Sequence, residues 1–230
     1  MRLRATVAYD GTDFHGWAPQ PNLRTVAGVL SDALGGVSLT VAGRTDRGVH
    51  AAANVASFDA DRAMPLAAVN AQLPDDLAVR ELAEAPDGFD ARADAVSRRY
   101  VYRIWTGPVP DPFRSRFRLH HPRPVDVEAL RACAAELVGR HDFRAFTPTE
   151  TEHVFFERTV LEADWEVDDS LLQFRIAADA FMRHMVRVLV GTMLDLPDPD
   201  AFRVLLEGRP RSESGRTAPP QGLVLLGIEY

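Results

Sequence analysis

The densest set of reactive side chains lies in Gly43-Arg44-Thr45-Asp46-Arg47-Gly48-Val49-His50. A carboxylate between two arginines stays charged, because nearby positive charge favours the ionised form. An ionised carboxylate with no second acid beside it can act as a nucleophile or an electrostatic stabiliser. The same residues also read as an ordinary turn, with Asp46 accepting backbone amides and Gly48 supplying a conformation other residues resist. A third use pairs Asp46 with His50 in acid–base hydrolysis.

Two further clusters stand out. Arg183, His184 and Arg187 fall in the apolar run Phe181 to Leu194. As a helix, this segment puts Arg187 on the face of both others, three and four residues away. A buried arginine there needs a carboxylate partner, whereas an exposed set is a solvated stripe. In Arg98-Arg99-Tyr100-Val101-Tyr102-Arg103, strand alternation sends the tyrosines to one face and Arg99, Val101 and Arg103 to the other. Such a face stacks unpaired bases, or its tyrosines simply edge a core.

Other chemistries lack their motifs. There is no G-x-G-x-x-G, P-loop, H-E-x-x-H or G-x-S-x-G. His120-His121 is an adjacent pair whose side chains diverge on a strand, so it reads as a loop pair rather than a metal site. One cysteine, Cys133, permits no internal disulfide and no cysteine-cluster metal site.

The elements that must position these residues follow from periodicity. Strands are predicted at 3–9, 37–42, 53–58, 77–83, 97–105 and 223–230, and a hairpin at 157–167 and 171–178. Helices are predicted from Thr25 to Leu34, at 65–73, at 127–138 with a cap near Asp126, at 181–194 and at 201–207. The Pro- and Arg-rich stretch Gly107 to Arg116 reads as a join between residues 1–105, which carry the Asp46 loop, and residues 106–230. Hairpins beside helix-joined strands indicate α+β with a largely antiparallel sheet.

Composition narrows the function. The 230 residues are 46% hydrophobic and 26% charged, which excludes disordered, collagenous and coiled-coil classes. No apolar run spans a bilayer, and the N-terminus carries no signal core, so a cytoplasmic setting is expected. The net charge is −7, and all 26 bases are arginine. A negative chain binds nucleic acid only where its arginines gather locally, and Arg44, Arg47, Arg98, Arg99, Arg103 and the loop Arg114 to Arg118 are the candidate face.

Gly43-Arg44-Thr45-Asp46-x-Gly48-Val49-His50-Ala51 resembles the signature of the TruA-type tRNA pseudouridine synthases. Five other stretches resemble that family in order: Tyr9-Asp10-Gly11-Thr12-x-Phe14-x-Gly16-Trp17, Arg24-Thr25-Val26, Phe89-x-Ala91-Arg92 with Arg98-x-Tyr100-x-Tyr102, His141-Asp142-Phe143-x-Ala145-Phe146 with Phe181 to Arg187, and Gly222-Leu223-x-Leu225. The resemblance implies two similar ferredoxin-like, RRM-like α+β halves sharing a largely antiparallel sheet with helices on one side. It implies isomerisation of uridine to pseudouridine at positions 38, 39 and 40 of the tRNA anticodon stem-loop, without metal or other cofactor, by a homodimer. It implies that Asp46 is the nucleophile on a flipped-out uridine, that Tyr100 packs on the base, that Arg44 takes the vacated space, that Arg187 pairs with the aspartate, and that Leu225 walls the pocket. An RNA-binding protein or tRNA folding chaperone without that catalysis is the alternative. Arg47, Ala18, Asp90, Val224 and a short connection from Leu34 to Gly43 depart from the family pattern.

Overall fold

The computed structural model describes residues 1–151 and 154–230. Its elements run β1 (Arg2–Tyr9), α1 (Val26–Ala33), β2 (Thr40–Val41), β3 (His50–Asp59), α2 (Leu66–Asn70), β4 (Leu77–Glu84), β5 (Ser97–Trp105), β6 (Leu119–His120), α3 (Val127–Ala135), β7 (Gly139–Asp142), β8 (Glu157–Asp168), β9 (Leu171–Ala178), α4 (Met185–Asp195), α5 (Pro199–Leu205) and β10 (Leu223–Glu229). The architecture is α+β. The residues group into two units, Met1–Arg98 with Val224–Tyr230, and Arg99–Leu223.

In the first unit the strand order is β4-β1-β3-β10, with β2 also on β3. The β1–β3, β1–β4 and β2–β3 pairs are antiparallel, and β10 runs parallel to β3. Strict alternation in β1 buries Leu3, Ala5, Val7 and Tyr9. The α1 helix begins because Thr25 accepts the Gly28 N–H, and it buries Val26, Ala27, Leu30 and Ala33. Complete burial of Leu30, Phe14 and Phe58 contributes about 1.5–3 kcal/mol each.

The second unit has strand order β5-β9-β8-β7, with β6 parallel to β5. The β8–β9 hairpin turns through Asp169 at φ 52° and stacks Trp165 opposite Phe174 in the core. Asp126 caps α3 by accepting the Ala129 N–H. In α4 all residues from Met185 to Met193 except Arg187 are buried. A Cβ on Gly191 would overlap the Arg216 carbonyl, so α4 lies directly against the segment that ends at Ala218.

The helix expected from Phe181 begins instead at Met185. His184, at φ 62°, is left-handed and breaks the period. Arg183 and His184 therefore precede the helix and share no helical face with Arg187. The predicted strand 37–42 shrinks to β2, while β6 and β7 are too short and polar to show an alternation.

Candidate active site

The Asp46 loop joins β2 to β3 in the first unit, and its backbone is gripped from below by groups distant in sequence. Trp17 N–H donates to Thr45 O at 3.0 Å. Asn54 Nδ2 donates to Gly43 O at 2.8 Å. The Tyr9 hydroxyl and Thr45 Oγ1 are 2.8 Å apart, and Tyr9 also accepts from Asn54 Nδ2 at 3.2 Å. Tyr9 is fully buried, and that burial pushes its phenol up to about 12. It is therefore a fixed hydrogen-bonding peg. Within the loop, Val49 N–H closes a turn on Asp46 O at 3.1 Å, and Gly48 takes φ 79°.

Two glycines let the first turn reach this loop. A Cβ on Gly16, at φ 91°, would stand 2.9 Å from Thr45 O and 3.2 Å from the Asp46 carbonyl carbon. A Cβ on Gly11 would overlap Val49 O. The turn is itself braced. Arg24 forms two hydrogen bonds with the Asp76 carboxylate, at 2.7 and 2.8 Å, and lies 3.9 Å over the Phe14 ring.

His50 belongs to this frame. Gly11 N–H donates to its Nδ1 at 3.0 Å, and the same nitrogen lies 3.1 Å from Asp10 Oδ1. The ring is buried under the turn. That geometry suits an anchor and weighs against the acid–base pairing of His50 with Asp46.

Above this frame the side chains of Arg44 and Arg47 are exposed and Asp46 is partly exposed. Leu225 of β10 pairs with Ala51, five residues past Asp46, and is fully buried. Arg44, Asp46 and Leu225 thus belong to the first unit.

Tyr100 and Arg187 belong to the second. Tyr100 is buried on β5 and meets Phe181 edge-on, with ring centroids 5.1 Å apart. On the same face, Tyr102 donates to Pro219 O at 2.7 Å, and burial raises its phenol far above the ordinary tyrosine range. Arg187, half-buried on α4, donates from Nε to Ala218 O at 2.8 Å, while Ala218 N–H returns a bond to Arg187 O. The guanidinium is held in place by the segment against which α4 packs.

The expected arginine face changes membership. Arg98 is only 9% exposed and donates to three carbonyls, Ala42 O at 3.2 Å, Ala95 O at 3.0 Å and Arg92 O at 2.8 Å. It is a structural tie, not an RNA contact. Arg99 pairs with Glu162 at 2.6 Å. Arg103 is half-buried on the outer face of β5, where Arg118 and Arg175 repel it and burial lowers its affinity for a proton. The loop from Gly107 to Arg118 projects Phe113, which is 95% exposed, beside Arg114. Sequence reasoning missed the anchoring roles of His50 and Arg98. The closely spaced glycines at 11 and 16 were the available signal for the tight turn over the loop.

A groove of about 650 Å³ also opens in the first unit. Arg44, Arg92, Asp90 and Ala18 are among its lining residues. Two of the departures from the family pattern, Ala18 and Asp90, thus fall on one surface.

Known proteins resemble this chain in sequence across its whole length. A family model described as tRNA pseudouridine synthase matches residues 133–230. The tRNA pseudouridine synthase A of Bacillus subtilis is 39% identical over 245 aligned positions, covering 100% of this chain and 99% of the relative. That of Bacillus velezensis is 40% identical with the same coverage, and that of Syntrophotalea carbinolica is 39% identical over 99% of this chain and 96% of its own length. Among solved structures, the crystal structure of a Cbf5-Nop10-Gar1 complex overlaps 97% of this chain and 47% of that one, at 14% identity and a TM-score of 0.37. Full-length identity near two residues in five makes this chain a member of the tRNA pseudouridine synthase family and so an isomerase.

Proposed function

We propose that this protein converts uridine to pseudouridine at positions 38, 39 and 40 of the tRNA anticodon stem-loop, with Asp46 as nucleophile. The observation that carries the reading is the Asp46 loop itself. Its backbone is fixed by Tyr9, Trp17, Asn54 and two close-packed glycines, while its carboxylate-bearing residue stays reachable between two exposed arginines. Relatives named tRNA pseudouridine synthase A support the substrate class.

The reaction is an isomerisation, so atoms balance within the nucleotide. The bond from the sugar anomeric carbon to N1 breaks, and a bond from that carbon to C5 forms. C5 loses a proton and N1 gains one. An Asp46 carboxylate oxygen bonds transiently to the flipped uridine, at the base or at the anomeric carbon, and holds one half while the uracil rotates. Tyr100 offers a ring, already braced edge-on by Phe181, for the flipped base to pack on. Arg44 is a planar cation suited to the stacking gap the uridine leaves, offsetting part of an unstacking cost of a few kcal/mol. Arg187 supplies the positive partner for the carboxylate, and Leu225 an apolar wall. The working form is a cytoplasmic homodimer across which the RNA lies.

The test is pseudouridine formation in an unmodified tRNA transcript bearing uridines at 38 to 40. Wild type is expected to form product at those positions. Asp46→Ala and Asp46→Asn are expected to lose roughly 10³-fold or more in rate, with tRNA binding and thermal stability retained. Product from Asp46→Ala at the wild-type rate sinks the nucleophile assignment. Binding without product from any form favours the RNA chaperone instead.

A further inference from the structure

The groove beside the Asp46 loop shares Arg44 with the chemistry above and is otherwise not used by it. Its volume of about 650 Å³ lies in the range of small-ligand sites. Val37, Leu39 and Ala18 give it an apolar side. Arg44 and Arg92 give it two exposed cations, and no hydrogen bond or salt bridge engages either guanidinium among the described residues. The acid on its wall, Asp90, is held below the usual carboxylate range by the N–H groups of Ala93 and Arg92 and by the charges of Arg2 and Arg92. Its Oδ1 accepts the N–H groups of Arg92 at 2.8 Å and Ala93 at 2.9 Å, which shapes the turn that presents Arg92.

The walls are locked together by one side chain. Buried Arg98 bonds to Arg92 O and Ala95 O on one side and to Ala42 O on the other. Ala42 is two residues before Arg44. A buried guanidinium bonded to three carbonyls sets the spacing of the two cationic walls before any ligand arrives.

We propose that this groove seats one unpaired nucleotide of the RNA adjacent to the target uridine, its phosphate between Arg44 and Arg92 and its base against Ala18, Val37 and Leu39. The inference rests on the function proposed above. Arg44 is two residues from Asp46, so a nucleotide in the groove neighbours the reacting one. Two exposed arginines beside a slot of this size match a phosphate with an attached ring, and Arg98 is a positioning residue for both walls.

The test uses a 5′-labelled unmodified tRNA transcript, with anisotropy measured across a salt series and product formation under single-turnover conditions. Arg92→Ala is expected to weaken binding and to reduce the slope of log affinity against log salt by about 1, because one phosphate contact is lost. Arg92→Lys restores that slope. Ala18→Trp fills the slot and is expected to cost about tenfold in affinity with the slope unchanged, the scale of one base stack. If Ala18→Trp is destabilised, Ala18→Leu replaces it. Wild-type affinity and slope in folded Arg92→Ala and Ala18→Trp overturn the groove, and product from wild type then leaves the function reading intact. Losses in both variants, with no product from wild type, uphold the groove and overturn that reading. A loss in Arg92→Ala alone overturns the nucleotide seat in favour of a bare phosphate contact.

Discussion

The Asp46 loop and the loop from Gly107 to Arg118 both carry arginines, and they are built in opposite ways. The first is held by partners far along the chain, at Tyr9, Trp17 and Asn54. The second has several local ties. Trp105 donates to Val109 O, Phe113 N–H to Asp111 Oδ1, and Arg114 N–H to Asp111 O. Long-range ties fix a geometry whether or not a ligand is present, as the role proposed for Asp46 requires. Local ties leave an arm whose exposed Phe113 can follow the shape of a ligand.

The comparison breaks first at Gly16. Gly16→Val forces a branched side chain into φ 91° and against Thr45 O. The expected cost is about 2–4 kcal/mol of stability, with turnover falling further than tRNA affinity. Thermal melts and single-turnover rates check this, and an unchanged rate would mean the close packing does not position Asp46.

The next effect is alkaline. An unfolded tyrosine ionises near 10, whereas buried Tyr9 ionises at about 12. Between those values the unfolded chain releases its proton first. Stability is therefore complete below about pH 10 and falls by roughly 1.4 kcal/mol per pH unit as the pH rises towards 12. Tyr102 adds to the same loss, since its phenol is raised in the same direction. Tyr9→Phe should cost about 1 kcal/mol at pH 8, from the lost hydrogen bonds, and flatten the alkaline slope. Denaturant melts at pH 8, 10 and 11 read both effects.

Phe113→Ala gives the smallest structural change and sharpens the contrast. Stability should move by less than about 0.5 kcal/mol, because the ring touches little. Affinity for tRNA should fall about fivefold through lost stacking. Equal affinity would show that the arm does not meet the RNA.

Much of this was legible in the residues themselves. Strand alternation placed β5 at Ser97–Trp105 with Tyr100 and Tyr102 on one face, but it did not show that Val101, on the other, is buried as well. The caps at Thr25 and Asp126 were readable from residue type. The start of α4 was not, since a left-handed His184 leaves no periodic trace. Arg98 was read as a surface cation because its sequence neighbours are arginine and tyrosine. Nothing local shows that the carbonyl of distant Ala42 joins those of nearby Arg92 and Ala95 on it. Type and spacing left Asp46 open between an ordinary turn and a reactive carboxylate, and the floor beneath it includes long-range contacts that no window of sequence displays.

The place of β10 bears on how the molecule is made. Val224–Tyr230 belongs to the first unit, where Leu225 pairs with Ala51 at the start of β3. A ribosome therefore releases the last strand of that unit only after all of Arg99–Leu223 has been synthesised. Until then, the edge of β3 beside the Asp46 loop lacks its partner strand. A nascent or prematurely terminated chain carries the Asp46 loop without Leu225 beside Ala51, so the site proposed above is complete only once this strand has been made.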